Sequence, residues 1–453
     1  MSLERPKHFR EFDIVLVGAT GFTGRLVASF LARRTQRTTS TAAVRVALAG
    51  RDAEKLQALA AELRRTYDAE LPAVSIDLSQ RASVTAIVAR SRVVLTTAGP
   101  FGMYGNDLVA ACAAAGTHYV DLSAEIPWIR SMILAHERTA LASGACIVHC
   151  GGFDSVPSDI GVLLLREHMA ACSLGVPDAV RTVIRRTRGG VSGGTIASMF
   201  NILERARREP EVRQALADED CLCVGPGVVP GDGHVEPNEQ RAPGRNGYLG
   251  VPRFDRRLQS WTVPYFMGAI NSRVVRRSNA LAGHPLGVDP DYRECFAFGG
   301  GPIGLLRAIF TAVAGALFVL LLLFPPTRWI LRALVLPKPG QGPKSAVRGK
   351  GCFELTVHGY TGERKADEAG HVRVSSDRDP GYGATAIMIA ECARLLARET
   401  PPAGFHTPAS AFGGPLASAL TDSGVRFDVS PVESAGNLSR RASVPPPAQQ
   451  RTE

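Results

Sequence analysis

Apolar and polar positions over the first 150 residues follow two alternating periods. Short β-branched runs, DIVLVG (13–18), VRVALAG (44–50), AVSID (73–77), RVVLTTAG (92–99), HYVDL (118–122) and ACIVHC (145–150), are separated by stretches such as GRLVASFLARR, AEKLQALAAELRR, SVTAIVAR and GNDLVAACAAAG. In those stretches apolar residues recur at helical spacing. Parallel strands need a crossover, and a helix between strands supplies one. The pattern therefore predicts an α/β fold, a doubly wound parallel Rossmann sheet of six strands over residues 1–150.

Beyond residue 150 the pattern is mixed and richer in Gly and Pro. VRTVIRRTRGGVSGGTIASMFNILERARR reads as strand, glycine turn and helix, and residues 224–255 read as loop. GCFELTVHGYT (351–361) and GHVRVSS (370–376) read as antiparallel strands joined by a charged turn. PGYGATAIMIAECARLLARE (380–399) has a Gly/Pro start and an apolar stripe at helical period. These elements predict an α+β substrate domain in two parts, 151–300 and 341–432, with a helix of the second part returning to the Rossmann domain. The tail 433–453 is Ser/Pro/Arg-rich and reads as disordered.

The two parts are separated by an apolar segment within 301–340. AIFTAVAGALFVLLLLF, Ala308 to Phe324, carries no charge over 17 residues and is bounded by Arg307 and Pro325–Pro326. As a helix it would span about 25 Å, slightly short of a ~30 Å hydrocarbon core. One reading is a buried core helix. The other is an anchor in a membrane or lipid-droplet surface, which the following TRWILRALVLPKP supports by setting Arg328, Arg332 and Lys338 around Trp329. A single full crossing would divide the substrate domain between two compartments, so a monotopic insertion or hairpin is expected.

Composition narrows the partners. The 453 residues carry a formal net charge of +10, with the positive charges scattered rather than gathered with aromatics. This fits a phosphorylated cofactor or an anionic lipid surface and makes nucleic acid the least favoured partner. Nine cysteines without a C-x-x-C pair, and a polar start leading directly into a strand, point to a reduced intracellular protein without a secretory signal. His118 and His149 lack ligand partners at metal-site spacing, and no metal is expected.

The chemistry starts at GATGFTG, Gly18 to Gly24, between the first strand and first helix. There Gly18 permits the tight turn, Gly21 lets backbone approach a pyrophosphate, and Gly24 allows close helix-to-strand packing. Thr20, Phe22 and Thr23 complete the loop, whose helix N-terminus favours phosphate. The second strand ends in ALAGRD. A carboxylate at its tip would accept the ribose 2′-hydroxyl of NAD, whereas Arg51 pairs with a 2′-phosphate. NADP(H) is the predicted cofactor, with Asp52 keeping NAD(H) open. After the fourth strand, Gly99 and Pro100 form a turn that can approach the nicotinamide. Asp121 and Glu125 follow the fifth strand, while Asp154 and Ser155 follow the sixth as caps of the helix near Pro157 or as substrate contacts.

No tyrosine has Lys four residues on, so the Tyr-x-x-x-Lys pair of short-chain reductases is absent. The blocks GATGFTGRLVASFL, ALAGR, TTAGPFGMYGNDLVAACAAAGTHYVDLSAE, GFDSVPSDIG, SGGTIAS and HTPASAFG together resemble the saccharopine dehydrogenase-like oxidoreductases, most closely their trans-acting enoyl reductases, over about residues 12–430. The chain departs from that pattern at Ala124, where Gly is frequent, and at Gly151–Gly152, where Cys often precedes a single Gly. The resemblance implies hydride transfer from NADPH to an activated C=C or C=N bond of a lipid-like acyl or polyketide substrate. On that reading Tyr104, Asp121 and Glu125 are the candidate catalytic residues, Tyr104 as proton donor or carbonyl-polarising group. The alternatives are a saccharopine-type imine dehydrogenase, with Arg185, Arg186 and Arg188 as carboxylate ligands, and a lipid-surface scaffold without turnover. A homodimer is compatible with each.

Overall fold

The computed structural model describes residues 10–36, 44–189, 193–226, 228, 250–323 and 350–431. The expected interfacial segment after residue 324, most of the loop before residue 250 and the tail from 433 lie outside these. The chain begins with the predicted alternation: β1 (Phe12–Val17), β2 (Val46–Gly50), β3 (Ala73–Ser75), β4 (Ser91–Thr96), β5 (His118–Asp121) and β6 (Cys146–Val148), with helices between them. A seventh strand, absent from the six expected, joins from far along the chain. Residues Gly404–His406 pair in parallel with β6 and complete the order 406-side strand, β6, β5, β4, β1, β2, β3. Strand order reverses between β1 and β4, whose ends are level at Val17 and Thr96. The crevice beyond their carboxyl ends is where such sheets bind ligands.

The second sheet also has seven strands. Its chain order is β7 (Ala179–Arg188), β8 (Arg253–Asp255), β9 (Ser260–Pro264), β10 (Asp291–Ala297), β11 (Cys352–Tyr360) and β12 (Glu368–Ser376), then, after Gly404–His406 as β13, β14 (Arg426–Pro431). In space the order is β14-β12-β11-β7-β10-β9-β8, with β7 and β10 parallel and the other pairs antiparallel. The stretch after residue 255 forms β9, the helix Gly268–Leu281 and β10.

One apolar core joins the two sheets. Ile14, Leu16 and Leu95 of the first belong to the same cluster as Val180, Leu355, Val357 and Val374 of the second. The helices Val156–Ala171 and Thr385–Arg398 contribute to it from between the sheets. The latter follows a tight turn, Pro380–Ala384, that Asp379 caps by accepting a hydrogen bond from Tyr382 N at 2.9 Å, and it packs on β1, β4 and β5. A separate cluster fills the far face of the first sheet.

The apolar segment forms a helix, Pro302–Leu323, starting six residues earlier than its uncharged run. Proline is well placed there, because a first helical residue has no intrahelical use for its N–H. At 22 residues the helix is about 33 Å long, enough for a ~30 Å hydrocarbon core. Only 11% of its most apolar window is buried, and Phe310 is 75% exposed. The core-helix reading is thereby corrected: the helix leaves the body of the protein. Its root is fixed by the Ser260 hydroxyl, which accepts hydrogen bonds from Phe298 N (3.1 Å) and Gly299 N (2.8 Å), and by Gly304, where a Cβ would lie 2.3 Å from Gly299 O.

Candidate active site

The glycine turn has the geometry of a dinucleotide cradle. Gly18 has φ +81°, a left-handed conformation, and a Cβ there would press on Thr97 Oγ1 at 3.0 Å and Ala98 N at 3.1 Å. At Gly24 a Cβ would lie 2.1 Å from Gly18 O, so any side chain would force helix and turn apart. Gly21 differs: its N–H donates to Gly18 O at 3.0 Å, and that oxygen, at 3.2 Å, is all an added Cβ would meet within 4 Å. The open side of Gly21 is the approach a pyrophosphate needs. The helix Phe22–Gln36 starts here, presenting first-turn amides without intrahelical partners. Phe22 packs edge-on against Tyr382 at 4.9 Å, tying the turn to the C-terminal part of the chain.

The second strand delivers Arg51 to the surface at its tip. Its charge reaches Asp77, whose carboxyl is held below the usual range first by Ser79 and further by Gln80 and Arg51. Asp52 is otherwise engaged. It caps the helix Ala53–Tyr67 by accepting from Lys55 N at 3.0 Å and pairs with Lys55 Nζ at 2.8 Å. Arg51 is therefore the side chain left to meet a ribose or its 2′-phosphate, and the residues fit NADP(H).

The Gly99–Pro100 turn continues into a short helix, Phe101–Tyr104, beyond β4. Glu125, 2% exposed, accepts from Phe101 N (2.8 Å), Gly102 N (3.1 Å) and Ser198 Oγ (2.8 Å). It thus clamps the turn to the helix Gly193–Arg208, a tie across 73 residues that no local pattern signals. Asp121, fully buried, accepts from Tyr119 OH (2.9 Å) and Ser123 N (2.9 Å), and lies 2.7 Å from His149 Nδ1. These hydrogen bonds give Asp121 and Glu125, two of the three candidate catalytic residues, positioning work. Tyr104 stands apart from both, 42% exposed at the end of the short helix.

The capping expectation after β6 is corrected too. Ser155 sits at the N-cap of the helix Val156–Ala171 without a capping hydrogen bond, and its hydroxyl donates to Asn271 Oδ1 at 3.0 Å. Asp154 caps nothing. Arg185 Nη2 lies 3.3 Å from His358 Nε2, while Arg186 and Arg188 are exposed toward the end of β7. His358, Glu368 and His371 bring three donor atoms within 4.8 Å, a grouping created by the β11–β12 pairing. The Arg185 guanidinium beside it opposes a cation.

A parallel sheet with its glycine turn, an arginine at the second strand and a clamped loop over the fourth define a dinucleotide-dependent oxidoreductase. Comparison with known proteins agrees. Residues 14–148 match the saccharopine dehydrogenase NADP binding domain, and NADP(H) is the cofactor. The chain is 36% identical over 428 residues to a trans-acting enoyl reductase of Mycobacterium tuberculosis, covering 92% of this chain and 97% of the relative. It is 34% identical over 426 residues to the trans-acting enoyl reductase of Mycobacterium ulcerans, with the same coverage. Apo saccharopine dehydrogenase (L-Glu forming) from Saccharomyces cerevisiae is a similar solved structure, at TM-score 0.49 and 12% identity over 92% of this chain and 99% of that one. The chain belongs to the trans-acting enoyl reductases of the saccharopine dehydrogenase-like oxidoreductases.

Proposed function

We propose that this oxidoreductase reduces the C=C bond of an enoyl thioester with a lipid-like acyl or polyketide chain, using NADPH at the surface of a membrane or lipid droplet inside the cell. The reaction class rests on the similarity to enoyl reductases, which extends along 92% of the chain. The surface location rests on the helix Pro302–Leu323. Full burial of a large apolar side chain is worth about 1.5–3 kcal/mol. Exposing Ile303, Leu306, Phe310, Val313, Leu317 and Leu320 to water therefore forfeits on the order of 10 kcal/mol that a hydrocarbon phase would return.

Topology restricts how such a helix could insert. β10 precedes it and β11 follows it, and both pair with β7. The two ends of the segment thus belong on the same side of a bilayer, which favours a hairpin or monotopic insertion over a single crossing.

Bound NADPH would supply the hydride. The chain's own residues would do the rest. Gly18, Gly21 and Gly24 admit the pyrophosphate, with Thr20, Phe22 and Thr23 completing that loop, and Arg51 selects the 2′-phosphate. Glu125 fixes the Gly99–Pro100 turn as one wall of the nicotinamide pocket. Tyr104, exposed at the rim, is placed in this reading to polarise the thioester carbonyl. Imine reduction on a dicarboxylate is less favoured, because Arg185 is engaged by His358.

The test is NADPH consumption against a panel of enoyl thioesters and imines. Turnover of the thioesters with formation of saturated product supports the reading. NADPH binding without turnover of any member would favour a lipid-surface scaffold.

A further inference from the structure

Of the acids Asp121, Glu125, Asp154, Asp159 and Glu294, four are accounted for by partners. Asp121 and Glu125 hold the groups described above. Asp159 accepts from the Ser278 hydroxyl and from Ala409 N at 2.8 Å. Glu294 is held by Tyr292 OH and by Asn271 Nδ2 at 3.0 Å. Among the described residues the fifth, Asp154, has no hydrogen bond or ion pair. A half-buried acid without a partner, beyond the carboxyl end of β6 in a nucleotide-binding sheet, is a candidate for chemistry.

The segment carrying Asp154 is rigid. Gly151 N donates to Asp121 O at 2.8 Å, and Phe153 N donates to Thr385 Oγ1 at 3.1 Å. A Cβ on Gly151 would stand 2.8 Å from Val120 Cγ2, and one on Gly152 would stand 2.8 Å from Leu122 Cδ2. The turn is thus pressed onto the end of β5, and Phe153 stacks edge-on with Phe353 of the second sheet at 4.8 Å. Asp154 is half-buried and keeps part of its surface open to solvent. The titratable groups that feel its charge are the Cys150 thiol of the same turn and the Tyr265 phenol following β9.

We propose that Asp154 is the acid that protonates the substrate carbon during reduction. This rests on the enoyl reductase reading. The hydride adds to the carbon remote from the thioester, and the C=C pair shifts toward the carbonyl. The carbon next to the carbonyl then takes the proton of the Asp154 carboxyl, forming a C–H bond and leaving a carboxylate that water reprotonates. NADPH is the two-electron reductant, and the sum is one hydride and one proton added across the bond. Burial raises the Asp154 carboxyl to about 6, which leaves a usable protonated fraction near neutral pH.

The test uses the full chain with trans-2-dodecenoyl-coenzyme A as probe. Asp154→Asn is expected to lower kcat by about 10²–10⁴-fold while leaving the Kd for NADPH within about twofold, with Asp154→Glu recovering part of the rate. A general acid acts protonated, so the wild-type rate should fall as pH rises through its pKa, and that limb should disappear in Asp154→Asn. A rate within about threefold of wild type, or an unchanged limb, would overturn the proposal. Should the wild type oxidise no NADPH with any enoyl thioester, the enoyl reading fails. Asp154 is then judged by carbon NMR of its carboxyl: titration near 6 sustains it as a poised acid, and titration near 4 overturns it.

Discussion

Arg51 carries the choice of cofactor at the level of single residues. Because Asp52 is spent on its helix cap and on Lys55, Arg51→Ala should weaken NADPH by about tenfold or more, the scale of one charge-assisted pair, and change NADH little. Fluorescence titration with both nucleotides checks this, and equal loss would remove Arg51 from the argument. Asp154 makes a second prediction through stability. Its folded-state pKa, about 6, lies above the 3.8 of an unperturbed Asp. As pH rises from 4 to 6 the unfolded chain ionises while the folded one holds its proton, so stability falls by up to about 3 kcal/mol and stays reduced above. Asp154→Asn should therefore melt higher than wild type near pH 7.5 and equal to it near pH 4. The glycines were legible in the sequence because a positive φ and a close backbone approach impose that residue type. The clamp at Glu125 and the unpaired state of Asp154 were not, since each depends on partners far away in the chain, as Ser198 is from Glu125.

At the level of elements, the exposed helix makes the clearest claim. Its length was underestimated in the sequence, because Arg307 ended the uncharged run while the helix continues back to Pro302. Charged residues at a bilayer centre cost about 2.5–3.5 kcal/mol each on insertion scales. The double change Phe310→Asp and Leu317→Asp should therefore lower partition into liposomes more than about 100-fold. Both side chains face outward, so NADPH binding should be unchanged. Flotation with and without the changes checks this, and a wild-type chain that never floats would dismiss the anchor. Short strands such as β8 and β13, three residues each, could not be read from periodicity, because so few positions do not establish a period.

For the whole molecule, the Rossmann half was legible because strands and helices alternate regularly along the chain, and only the step from β3 to β4 leaves the neighbouring position in the sheet over β1–β6. The second sheet was not, because it draws strands from residue 179 to residue 431 around β7. That interleaving matters for function. β13 and the helix Thr385–Arg398 return to the first sheet from the far side of the apolar segment, so cofactor cradle, clamp and Asp154 are assembled by one shared core. The central claim is that this assembly couples NADPH oxidation to reduction of an enoyl thioester, and the direct measurement follows both together. The purified chain with lipid vesicles, NADPH and trans-2-dodecenoyl-coenzyme A should yield one saturated thioester per NADPH consumed. NADPH bound but never consumed across enoyl thioesters of all chain lengths would contradict it.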